Sequence, residues 1–311
     1  MATRPNDDLI VRIIENPDIK ALLVHFSLLI DEIVNFGSLV FEWTFERVHK
    51  GDHHLVAFSF YRRSLELLDT IAILIKYSNV SPCKLILRSL FEMLLSLEYM
   101  TQRDIEKRGK DYLICLKHKE LDFLKKHLSG DPLQREFSQK IAEDELLKGI
   151  AIPFNPNIEE GIRIKENLIN CGPYSDSENS YQATKLRMKG NPRWWFNLHD
   201  GPKDICNLAK KMKRPAQYEI LYRNWAGYAH GTGSMDKQVE IEGRDGISIP
   251  QLRSPEDADF VTFMAVSYGL AIIQTMIREY TKEKEPEFAR WYATEIRADY
   301  LGLKEKLISV H

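Results

Sequence analysis

The chain has 311 residues, 44% hydrophobic and 28% charged, enough for a substantial core beneath an ordinary charged surface. A net charge of -2 excludes a uniformly basic coat, so any contact with nucleic acid has to come from a local patch. Cys83, Cys115, Cys171 and Cys206 stand far apart without paired spacing, which argues against a disulfide framework or a zinc site and for a reducing cytoplasm.

Met1 to Asp8 is polar and carries both signs of charge, unlike a signal peptide. Asn16-Pro17 is a turn signal. From Ile19, the apolar residues Leu22, Leu23, Phe26, Leu29, Ile30, Ile33, Phe36, Val40 and Phe41 recur at threes and fours, which predicts one long amphipathic helix ending near Gly51. Asp52 can cap a second helix running to about Ser78. Ser81-Pro82 opens a third, carrying Leu85, Leu87, Leu90, Phe91, Leu94 and Leu95. A fourth spans about Ile105 to Leu128, and Asp131-Pro132 starts another. Long helical segments with short connections predict a mainly α fold, an antiparallel helical bundle over 1–148.

Composition shifts near Gly149. Pro153, Pro156, Pro173 and Pro192, with the polar run Ser175 to Ser180, predict an irregular insertion over 149–201. It holds one short helix near Ile158 to Asn170 and a mobile stretch around 172–182. Residues 202–311 return to helices that pack with the first bundle as one domain. Within them Val239 to Glu242 and Ile247 to Ile249 suggest a small β-hairpin. Phe260 to Ile277 carries no charge over eighteen residues, the minimum for a membrane span. Thr262, Ser267, Gln274 and Thr275 dilute it, and a central bundle helix, with no membrane, is the expectation.

The stretch Tyr222-Arg223-Asn224-Trp225-Ala226-Gly227-Tyr228-Ala229-His230 organises the functional reading. On an α-helix, Arg223 and His230 are seven positions apart and project from nearly the same face, roughly 10 Å apart along the axis. One phosphate between them is within reach of both. RNA cleavage by the neighbouring 2′-hydroxyl needs a base, an acid and positive charge on the phosphorane. Histidine supplies the first two roles and arginine the third. One histidine per chain is short of the set, so the mechanism asks for a homodimer.

An Arg followed, after four to six residues, by His resembles the signature of the HEPN superfamily, whose residue after the Arg is often polar, as Asn224 is. The resemblance rests on Arg223, Asn224 and His230 alone. It implies a helical, metal-independent endoribonuclease that works as a dimer, in a toxin–antitoxin or phage-defence setting. Arg223 would stabilise phosphate charge, His230 would act as acid and base, and Asn224 would assist. The segment Leu87-Arg88-Ser89-Leu90-Phe91-Glu92, followed much later by Tyr222 and His230, is similar to uncharacterised bacterial helical proteins. That likeness brings no activity with it.

The bare spacing also joins Arg47 to His53 and His54, and Arg193 to His199. A Lys50-Gly51-Asp52 turn breaks the first and irregular chain holds the second, so only Arg223 and His230 fall on one predicted helix. The bland reading is that both satisfy polar groups inside the bundle. Lys203, Lys210, Lys211, Lys213 and Arg214 precede the motif and can track a phosphate backbone, with Trp194, Trp195, Phe196 and Trp225 to stack bases. The same lysines also suit helix ends. Arg62 with Glu66, and Arg88 with Glu92, read as internal ion pairs that fix helix register. Asp52, His53, His54 and Glu66 read as a capped, solvated helix start rather than a metal site. No cofactor is expected. The partners expected are RNA, a second copy, and an antitoxin or regulatory protein; the alternative is a non-catalytic helical protein that binds nucleotide or protein.

Overall fold

The computed structural model describes residues 10, 14–45, 51–150, 156–225, 240–242, 246–248 and 251–309. The fold is mainly α. In chain order, α1 is Pro17–Phe45, α2 Asp52–Lys76, α3 Cys83–Gln102, α4 Ile105–Lys125, α5 Pro132–Glu143, α6 Ile158–Ile169, α7 Ser175–Met188 and α8 Ile205–Lys211. A short helix, α9 (Pro215–Gln217), runs on into a π-helical segment, Tyr218–Arg223. Then follow α10 (Ala258–Tyr280), α11 (Glu285–Trp291) and α12 (Arg297–Ser309). Part of the hairpin expected over Val239 to Ile249 lies outside the described residues; Glu240–Glu242 and Gly246–Ser248 pair antiparallel.

The chain divides into two compact units. In the first, α10 packs against α1 and α3. Its uncharged stretch is there because this helix is central: Val261, Ala265, Ile272, Ile273, Met276 and Ile277 are fully buried. By length and composition alone, α1 and α10 are both apolar enough to cross a membrane, and about half or more of each apolar window is buried inside this fold. Gly269 makes the packing tight, since a Cβ there would stand 2.4 Å from Ile33 Cγ2. The Trp291 ring stacks on Phe36, centroids 4.0 Å apart, and its Nε1 donates to Glu32 at 2.7 Å.

The second unit holds the first turn of α2 with residues 104–204. The boundary expected at 148 therefore falls at 103, because α4 packs with α6, α7 and the 195–200 turn. From Ile205 on, the C-terminal helices fall in one unit with α1, most of α2 and α3, without the α4 and α5 that the expected bundle over 1–148 included. The insertion is not irregular throughout: the stretch expected to be mobile, 172–182, lies largely in α7. Its acidic first turn (Asp176, Glu178) and basic last turn (Lys185, Arg187) suit the helix dipole. Its buried face carries Ser177, Tyr181 and Thr184, so no apolar period betrayed it. The Arg62–Glu66 pair, expected inside, is on the surface at 2.7 Å.

Candidate functional site

The motif helix is held against α3 by a ladder of polar and aromatic contacts. At its start Arg214 forks onto Glu98, with Nε 2.9 Å from Oε2 and Nη2 2.5 Å from Oε1. Two turns on, Tyr222 stands beside Arg88 and Glu92 of α3. The Arg88 guanidinium lies 3.9 Å from the Tyr222 ring centroid, and Tyr218 stacks on Tyr222 at 5.2 Å. Burial pushes the Tyr222 phenol upward; Glu92 adds to this and Arg88 opposes it. Further along, the Lys84 ammonium stands 6.0 Å from the Trp225 ring and donates to Asp257 at 2.7 Å. Trp225 meets Phe260 edge-on at 5.9 Å. Helical spacing on α3 thus faces Lys84, Arg88, Glu92 and Glu98 toward one neighbour.

With Leu221 buried and Tyr222 and Trp225 turned inward, helical geometry leaves Arg223 and Asn224 outward. The Arg223 side chain is 72% exposed, and its Nη1 lies 3.1 Å from Glu219 Oε2. Asn224 is exposed, and its N–H donates to the Glu219 carbonyl at 3.3 Å, an i→i−5 bond. The α-helix expected to carry both Arg223 and His230 is therefore corrected over its described part: three α-helical residues lead into six π-helical ones, and Asn224 and Trp225 form a turn. Such π turns recur at functional sites. His230, with residues 226–239, lies outside the described residues.

The proposed basic patch survives only in part. Lys203, Lys210, Lys211 and Lys213 are exposed, Lys211 with its ammonium 4.9 Å from the Tyr99 ring centroid. Arg214 is not a phosphate ligand here, because Glu98 and Gln217 occupy its fork. Trp195 is 7% exposed and packs edge-on to Tyr112 and Phe196, so it has no face to offer a base. Trp194 is half-buried, with its ring stacked on Phe196 and Arg193 beside it at 5.5 Å. Both tryptophans belong to the second unit and the lysines after residue 204 to the first.

One cluster went unread in the sequence. Buried Asp111 on α4 accepts from Ser177 Oγ at 2.7 Å and pairs with His199 Nε2 at 3.1 Å, both at Oδ1. Burial raises the Asp111 carboxyl above its usual range, against the pull of Ser177, His199 and Lys107. His199 and Asp200 both adopt left-handed backbone, φ 51° and 55°. His118 pairs with Glu178 at 2.7 Å and stacks on Tyr181. The only sequence signal was a carboxylate on the buried face of α4. Among the described residues, no group of three or more His, Cys, Asp or Glu side chains is placed to hold a metal ion.

Fold and site together define a mainly helical protein that braces one helix on a charged neighbour and turns an Arg-Asn pair to solvent. Residues 54–247 match a family of unknown function, DUF5677, and this span is more than half of the chain, so the protein belongs to that family. The match takes in Arg88, Glu92, Tyr222 and the Arg223–His230 stretch. No curated protein and no solved structure matches the chain.

Proposed function

We propose that this protein is a HEPN-like, metal-independent endoribonuclease of the cytoplasm, acting as a homodimer in a toxin or phage-defence role. One observation carries the reading: Arg223, with Asn224 beside it, stands in solvent on a helix whose opposite face is fixed to α3. A guanidinium in that position can reach a phosphate without unfolding anything. His230 enters on its spacing in the sequence.

In the reaction, the ribose O2′ attacks the adjacent phosphorus and the bond to O5′ breaks. One histidine takes the O2′ proton and the second chain's histidine protonates O5′, leaving a cyclic phosphate and a free 5′-hydroxyl. Arg223 carries the charge of the phosphorane. A second reading, a non-catalytic helical binding or scaffold protein, draws on Glu219, whose carboxylate already occupies Arg223 and competes with phosphate.

The test is RNA cleavage in the presence of EDTA by the wild type and His230→Ala, with circular dichroism as the control for folding. The nuclease reading expects cyclic phosphate ends from the wild type and none from the variant. Equal cleavage by the two, or none by either, removes it in favour of the binding reading. Sedimentation of the wild type should show a dimer, and a strict monomer would leave the acid–base pair incomplete.

A further inference from the structure

The side of α3 that meets the motif helix carries two cations one helical turn apart, and each stands over an aromatic ring. The Arg88 guanidinium lies 3.9 Å from the Tyr222 ring centroid, and the Lys84 ammonium 6.0 Å from that of Trp225. Tyr222 and Trp225 are the residues on either side of Arg223 and Asn224. The exposed pair is therefore gripped at both ends by α3, and the closer grip is the one on Tyr222. Tyr218, stacked on Tyr222 at 5.2 Å, adds a further ring contact.

Stability does not account for Arg88. Its Nη1 is buried and finds no hydrogen-bond partner among the described residues. A covered donor that has given up water without a replacement destabilises the fold. An apolar side chain of similar length would fill the space without that loss. Arg214, at the start of the same helix, is the contrast: its fork is fully engaged by Glu98 and Gln217. A local rule broken without a structural return is characteristic of positions shaped by function. The backbone beside Arg88 shows what there is to hold. Tyr218–Arg223 is π-helical, and the Asn224 N–H donates to the Glu219 carbonyl at 3.3 Å. That geometry is rare, and it sets the direction in which Arg223 leaves the helix.

We infer that Arg88 is a positioning residue: its guanidinium face holds Tyr222, and through Tyr222 the π turn that aims Arg223 and Asn224 at a phosphate. The inference rests on the nuclease reading of Arg223 and adds to it a residue that touches no substrate.

Wild type, Arg88→Met and Arg88→Lys are compared by RNA cleavage in EDTA, by urea unfolding, and by hydrogen exchange at the Asn224 amide, which reads the turn itself. In Arg88→Met, kcat should fall at least about tenfold with KM within about twofold. The Asn224 amide should exchange at least about tenfold faster, as expected of a local opening. The urea midpoint should stay level or rise, because the unpaired donor is gone. Arg88→Lys should recover part of kcat, since an ammonium can still sit over the ring but lacks the guanidinium plane. An unchanged kcat in Arg88→Met overturns the role. So does a fall in kcat that comes with a lower urea midpoint, which marks a merely structural arginine. A higher KM at constant kcat makes Arg88 a substrate contact and overturns it as well. If the wild type cuts no RNA, the nuclease reading falls by itself and the exchange rate decides. Faster exchange at a level midpoint then keeps Arg88 as the clamp of this turn, and unchanged exchange removes it.

Discussion

In the first unit, α3 packs on α10 with Phe91 stacked on Tyr268. Leu87, Leu90 and Leu94 of α3 and Ile272 and Ile273 of α10 are all fully buried, and Glu98 of α3 pairs with Arg214 at the start of the motif helix. In the second, α4 and α7 meet through Asp111, Ser177, His118, Glu178 and Tyr181, so hydrogen bonds and a buried carboxylate lie in the seam itself. An apolar seam has no group to titrate and answers mainly to lost volume. A polar seam keeps its volume when atoms are exchanged isosterically and answers to pH. The two units should therefore fail under different insults, and mutations can separate them.

The sharpest break should come in the first unit. Phe91 is fully buried and stacks on Tyr268 at 5.6 Å. Phe91→Ala should cost about 3–5 kcal/mol, from lost transfer energy and the cavity left behind. Denaturant unfolding measures it, and a loss near zero would mean that α3 and α10 are not the centre of that unit.

Next in size is the ladder under the motif helix. Glu98→Ala leaves the Arg214 guanidinium, about four-fifths covered, without its carboxylate. A fully buried pair broken this way costs about 3–5 kcal/mol; partial exposure reduces the expectation to about 2 kcal/mol. Replacing both residues by apolar ones of similar size should recover much of the loss. If Glu98→Ala alone is silent, the ladder does not hold the helix, and Arg223 loses its support.

How much of this was legible follows the same division. The apolar seam announced itself: Leu23, Phe26, Ile30 and Ile33 on α1, and the uncharged run in α10, carry the helical period that burial imposes. The polar seam did not, because Ser177, Tyr181 and Thr184 read as loop composition although they form the buried face of α7. The candidate site was half legible. Arg88 and Glu92 were visible as a helical pair, and Tyr222 as part of a likeness, but their convergence needs the fold. Arg214 was read as a free cation because Glu98 is 116 residues away. For Trp195 the sequence leaves both ordered packing and an exposed ring open, because no local pattern tells a packed tryptophan from an exposed one, and the fold buries it.

A smaller effect, with the opposite sign, is expected from Asp111→Asn. Burial raises the folded carboxyl above its unfolded value, so this group's contribution to stability is full below about pH 3.9 and is lost as pH rises through the folded value. Asparagine removes that loss, and its Oδ1 can still accept from Ser177 and His199. Unfolding free energies from pH 4 to 7 should show the variant gaining on the wild type with rising pH, by on the order of 1 kcal/mol. A gap that moves the other way would make attraction to His199, not burial, the dominant influence on the carboxylate.

The smallest expected change in stability falls on the exposed face of the motif helix, and it bears most on function. Glu219→Gln removes the partner of Arg223 at a site where both side chains are more than half exposed, so stability should move by less than about 0.5 kcal/mol. Under the nuclease reading the freed guanidinium meets phosphate without competition, and RNA binding should tighten by about two- to threefold at low salt. Arg223→Ala should weaken binding with equally little effect on folding. Fluorescence anisotropy with a labelled single-stranded RNA reads both variants. If Glu219→Gln leaves binding unchanged while Arg223→Ala destabilises the fold, the pair is structural, and the outward face of this helix is not where RNA is held.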